Sequence, residues 1–183
     1  MQKAILQLFL LCFLCSTSYS QITRALGVGV QNIMYNSDYA EIEDVNMQSA
    51  FLNFELLPDK FWGIGLEFHH SIGHERYTLR DFRIKLGGTL NHGSRVQFPI
   101  YPFVSFYGFK DRLASKYSLV GYGVKGGVKF YFTNKIAIQG EYEYSLFPII
   151  GIDDKVLEEA AGEIIGRGIS IILTYNIVKL KKS

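Results

Sequence analysis

The sequence predicts an all-β fold: an eight-stranded antiparallel up-and-down barrel that crosses a membrane with its strands. Three observations predict it. Stretches of about ten residues with an apolar side chain at every second position recur between Leu26 and Ile177, the pattern of strands that turn one face to lipid and the other to a polar interior. The segments that join them alternate between tight and longer. No stretch after residue 20 is apolar enough for a spanning helix, yet aromatics make up 15% of the chain and its mean hydropathy is positive, because alternation hides membrane hydrophobicity from a running average.

The expected strands, in order, are 24–35, 47–57, 61–71, 78–91, 95–109, 118–133, 135–147 and 165–178. The first carries Leu26 with Gly27 and Gly29, and the second places Glu55 on its polar face. In the third, Trp62, Ile64, Leu66 and Phe68 alternate with Gly63, Gly65 and Glu67; in the fourth, Phe82, Ile84 and Leu86 alternate with Arg83, Lys85 and Gly87. The fifth begins with Phe98-Pro99-Ile100 and contains Pro102, which removes a ladder donor and implies a bulge or a locally opened wall. The sixth and seventh form the clearest hairpin. Tyr122, Val124, Val128, Phe130 and Phe132 face one way with Ile136, Ile138, Tyr142 and Tyr144, whereas Lys125, Lys129, Gln139, Glu141 and Glu143 face the other. The eighth carries Ile169, Ile171, Leu173 and Tyr175.

Tight turns follow the even strands at Pro58-Asp59-Lys60, His92-Gly93-Ser94 and Asn134, all rich in turn formers. Longer connections at 36–46, 72–77, 110–117 and 148–164 follow the odd ones. A bacterial barrel that starts in the periplasm turns tightly inside and loops outside, so the parity fits N- and C-termini on the periplasmic side.

The polar face collects Glu55, Glu67, Arg83, Lys85, Lys125, Lys129, Glu141 and Glu143, balanced in sign. Eight strands enclose an interior just wide enough for side chains to fill, and buried ions there must be paired. Neighbouring strands offer the partners: Glu67 beside Arg83 and Lys85, and Lys125 and Lys129 beside Glu141 and Glu143. Glycines at 27, 29, 63, 65, 87, 121, 123 and 127 mostly share this face and leave room for long charged side chains. Phe61, Trp62, Phe98, Tyr131 and Phe132 are expected at the headgroup level on the turn side. The opposite assignment, a soluble lipid carrier with its apolar face inside, would force large aromatics from every strand into one narrow lumen.

Residues 1–20 read as a secretory signal: Lys3, an apolar run from Ala4 to Cys15 and small residues at Ser18 and Ser20 place cleavage before Gln21. The run is too short to cross a bilayer. Residues 21–183 then form one barrel domain. Both cysteines, Cys12 and Cys15, lie in the signal, and Leu11 and Leu14 before them do not suit lipidation. Without Lys3 the mature chain holds 18 basic and 17 acidic side chains, which gives no footprint for nucleic acid.

The opening of strand five, the run Gly126-Gly127-Val128-Lys129-Phe130-Tyr131-Phe132, the strand 138–144 and a closing strand with Ile171, Leu173 and Tyr175 resemble the small eight-stranded outer-membrane barrels of Gram-negative envelopes, the porin-like, OmpA/OmpX-like outer membrane protein β-barrel family. The resemblance covers roughly 21–178 and implies an outer-membrane address. It also implies contact with outer-membrane lipid and lipopolysaccharide, and biogenesis through periplasmic chaperones and the barrel-assembly machinery. Departures are Ser183 in place of a terminal aromatic and a basic tail at 179–183.

Candidate chemistry is thin. Gly121-Tyr122-Gly123-Val124-Lys125-Gly126 spells a dinucleotide fingerprint, but strand rather than helix follows it. Glu67, His69, His70, Ser71, His74 and Glu75 cluster an acid, imidazoles and a hydroxyl, and His69 and Ser71 share a strand face. The pair is similar to the His-x-Ser element of outer-membrane lipid A deacylases, but it points inward beside Glu67, away from lipid. An interior His69 bonded to the polar core and an exposed His74 are expected instead. Acidic loops (Asp38, Glu41, Glu43, Asp44; Asp153, Asp154, Glu158, Glu159, Glu163) suggest a solvated rim, a divalent-cation bridge being the alternative, and 155–163 suggests a short helix capped by Asp153 or Asp154. No catalytic, cofactor-binding or metal residue is assigned, and no cofactor is expected. The expected role is a non-enzymatic one, structural or interactive through extracellular loops; the alternatives are a narrow solute channel, a lipid A hydrolase and a lipocalin-like carrier.

Overall fold

Alternating side chains give eight long strands that close on themselves. The computed structural model describes residues 22–37, 44–58, 62–73, 77–111, 116–148 and 163–177; the expected signal segment, Phe61, His74 and the helix expected at 155–163 lie outside them, except that Glu163 opens a strand. The strands are β1 (Ile22–Ser37), β2 (Val45–Pro58), β3 (Trp62–Ile72), β4 (Tyr77–Leu90), β5 (Val96–Asp111), β6 (Lys116–Tyr131), β7 (Ile136–Pro148) and β8 (Glu163–Ile177). Each pairs antiparallel with its sequence neighbours, and β1 closes against β8 from Arg24↔Ile177 to Ser37↔Ile164.

At their loop ends the strands run further than the sequence pattern suggested, and this changes the loops. β3 to β4 and β5 to β6 are joined by 73–76 and 112–115, no longer than the turn at 132–135. Only 38–44 and 149–162 are longer than every turn on the other side, so the parity rule holds through two loops rather than four.

The turns have clear local causes. Asn91 takes a positive φ of 58° and Gly93 one of 87°, a backbone region that Asn and Gly tolerate best. The Asn91 side chain donates to the Val96 carbonyl at 3.1 Å. At the next turn the Thr133 hydroxyl accepts from the Lys135 and Ile136 amides at 3.2 and 3.0 Å.

Pro102 does not create a bulge. The β4–β5 and β5–β6 registers keep constant offsets on both sides of it, so no residue is inserted. Ladder pairing is instead interrupted: Leu86 and Gly87 have no ladder partner on β5, and Phe98 and Pro99 have none on β6.

Candidate functional site: a filled lumen inside an apolar wall

The pleat sends odd positions of β1–β7 and even positions of β8 inward. Three layers result. At the loop end Ile33, Tyr35, Val45, Met47, Leu79, Tyr107, Phe147 and Ile164 form one apolar cluster. Tyr35, Tyr107 and Phe147 meet in a triangle with ring centroids 4.9–5.9 Å apart, edge-to-face or tilted as aromatic quadrupoles prefer. At the turn end Tyr131 lies inward, where Asn176 donates to its hydroxyl at 3.2 Å. Tyr131 is therefore a lumen residue and not a headgroup anchor; the alternation that exposes Phe130 and Phe132 requires this.

Between the ends lie the charges, and all eight expected on the polar face are buried there. Lys129, Glu55, Lys85, Glu67, Lys125 and Glu141 form one alternating chain, with successive N···O contacts of 3.4, 2.8, 2.9, 2.6 and 3.1 Å. Each inner member is shared by two opposite charges, the arrangement that offsets the desolvation of ions in a dry interior. A second group sets Arg83 between Asp81 and Glu143, both at 2.5 Å. Each cation also lies over a ring: Arg83 over Phe103, Lys85 over Tyr101, Lys125 over Phe51 and Lys129 over Tyr131, at 4.7–5.7 Å.

Two expectations need correction. Pairing between neighbouring strands holds for Lys85 with Glu67 and for Lys125 with Glu141, but Arg83 reaches across the lumen to Glu143 and Lys129 reaches Glu55. In so narrow a barrel the opposite wall is as near as the adjacent strand. The balance of four acids and four bases also omitted Asp81, which shares the inward face of β4 with Arg83 and is buried. Its spacing of two from Arg83 was a readable signal.

Three of the inward glycines make room for rings and one for a charge. A Cβ at Gly29 would strike Phe51, at Gly121 Phe147 and at Gly123 Phe103; only at Gly65 would it strike a lysine, Lys85. At Gly127 it would strike the backbone of β7 at Gly140 and Glu141.

The other face is apolar. Trp62, Ile64, Phe68, Ile84, Leu86, Val128, Phe130, Ile136, Ile138, Ile169, Ile171, Leu173 and Tyr175 are exposed, and Leu66 and Phe82 half-exposed, as the alternation predicts. So continuous an apolar surface far exceeds what soluble monomers show to water. No helix among the described residues is long and apolar enough to cross a membrane.

Comparison with solved structures agrees with this geometry. Neisserial surface protein A superposes with a TM-score of 0.67 at 11% identity, covering 84% of this chain and 97% of that one. The fold is that of the small eight-stranded outer-membrane barrels. Ail, the attachment invasion locus protein of Yersinia pestis, shares it at TM-score 0.56 and 13% identity, with 86% and 99% covered. OprG of Pseudomonas aeruginosa does so at 0.55 and 10%, with 87% and 97% covered. No protein-family model and no curated protein matches the chain.

Within this outer-membrane barrel fold the candidate chemical groups are dispersed. The Ser71 hydroxyl accepts from the Leu79 amide at 2.9 Å and so holds the start of β4 rather than serving His69. His69 is buried, stacks on Phe51 at 4.3 Å, and lies 3.1 Å from Glu67 and 3.4 Å from the Ser49 hydroxyl. Ser49, His69 and Glu67 thus stand in the order of a hydroxyl, imidazole and carboxylate triad that sequence reading missed, since Ser49 comes from β2. Glu67 is committed to two lysines and Ser49 is 1% exposed, which leaves a substrate no approach. The glycine fingerprint at 121–126 lies wholly within β6. Of the acidic loop residues only Asp44 and Glu163 are described, and no metal-binding cluster is found among the described residues.

Proposed function

We propose that this chain is a non-enzymatic integral protein of the Gram-negative outer membrane, its termini periplasmic, whose role is structural or interactive through loops held at the cell surface. One observation carries the reading: the lumen is filled from end to end, by Tyr131 and Asn176 at the turns, nine ionised side chains in the middle and the Tyr35–Tyr107–Phe147 triangle at the loops. Side chains so little exposed leave no open path for a solute along the axis of an eight-stranded barrel. What remains to act is the outer wall and the loops.

Its partners on this reading are outer-membrane lipid and lipopolysaccharide, with periplasmic chaperones and the barrel-assembly machinery during biogenesis. Planar-bilayer recording of the folded chain tests the reading against a narrow solute channel. The expected trace stays at the bare-membrane baseline; steady ohmic steps that disappear on unfolding would establish the channel instead.

A further inference from the structure

The loop-side edge of the apolar wall carries one distinctive row. His70 on β3 and Arg80 on β4 are register partners, and Arg80 in turn pairs with Gly108 on β5. His70 and Arg80 point outward and are exposed, and no carboxylate among the described residues pairs with either. Directly opposed residues hold their Cβ atoms ~4.5–5.5 Å apart, so an anion between them would meet both donors. Gly108 leaves the third place bare: a Cβ there would touch only the Arg80 carbonyl oxygen, at 3.5 Å.

The row beneath completes the shape. Phe68, Phe82 and Phe106 are consecutive register partners on the same face, with ring centroids 4.9 and 6.1 Å apart. From Trp62 at the turn side to His70 the strand climbs ~26 Å along its axis, or ~20 Å of height at the usual tilt. That puts the His70–Arg80 row near the far edge of an apolar band ~25 Å tall, at headgroup depth rather than mid-bilayer.

Resting on the membrane reading above, we propose that His70 and Arg80 clamp the phosphate of a phosphomonoester-bearing lipid in the loop-side leaflet, its acyl chain lying on the Phe68–Phe82–Phe106 shelf. The Arg80 guanidinium presents a planar fork that matches phosphate oxygens, and its aliphatic stem runs along the wall. A His70 ring N–H donates from the opposite strand. Gly108 gives the headgroup room.

The test uses the folded full chain in phosphatidylcholine nanodiscs titrated with phosphatidic acid, a phosphomonoester, or with phosphatidylglycerol, a phosphodiester, and read by amide chemical shifts. Phosphatidic acid should give saturable shifts at His70, Arg80 and Gly108. The exposed double variant H70Q/R80Q should weaken that binding about tenfold or more, whereas R167Q, at a lone exposed arginine on β8, should leave it unchanged. Non-saturating shifts of equal size at every outward basic residue, or a double variant that binds as the parent does, would overturn the clamp. Heat-modifiable gel mobility reads folding into lipid separately. A chain that never folds in the nanodisc refutes the membrane reading, and one that folds but ignores phosphatidic acid refutes the clamp alone.

Discussion

At the scale of single residues, Lys125 is a cation of the core shared by two carboxylates. It joins Glu67 and Glu141, is 1% exposed and lies over the Phe51 ring. Removing it leaves two carboxylates facing each other without their shared partner. Lys125→Met should therefore destabilise the barrel by ~3–5 kcal/mol, the cost of breaking a buried pair, whereas Lys135→Met at an exposed turn should stay within ~0.5 kcal/mol. Urea unfolding midpoints measure both, and equal midpoints would remove the ion-paired core. Which residues are charged and which way they face was legible from alternation alone, because a strand has a period of two. Which charge meets which was legible only for Lys85–Glu67 and Lys125–Glu141 on adjacent strands: Arg83–Glu143 and Lys129–Glu55 depend on the diameter of the closed barrel, and Ser49 reaches His69 only once β2 and β3 pair. Tyr131 and the ring-accommodating glycines were misjudged for the same reason, since their surroundings come from other strands.

At the scale of elements, β5 is the irregular part of the wall. Pro99 and Pro102 supply no amide hydrogen, and the ladder breaks beside them on both flanks without a change of register. Amide hydrogen exchange should be faster at Leu86, which lies opposite Pro102 and receives no hydrogen bond from it, than at Ile84, which pairs with Val104. Uniform protection along β4 would show that the prolines do not weaken this seam. The sequence located the irregularity but allowed two forms of it, and only the register distinguishes a bulge from an interruption. Loop-side strand ends were also underestimated. The amphipathic signal fades toward the loops, where Thr78 and Ser118 obscure the alternation, yet hydrogen bonding to neighbours carries β4, β5 and β6 further.

For the whole molecule, fold class, strand number, order and facing were all present in the amino-acid pattern, and 10–13% identity to barrels of the same shape shows how little specific sequence the architecture needs. The account rests on an inverted distribution, with ions sharing partners along the axis and apolar side chains lining the perimeter. Water could not bathe such a perimeter in a stable monomer. The most direct test is spin-label accessibility of the chain refolded in bilayers, with single labels placed through Ile138→Cys, Tyr142→Cys and Leu173→Cys. The account predicts frequent collision with dissolved oxygen and almost none with a water-soluble nickel chelate at all three positions. High nickel accessibility there would contradict it.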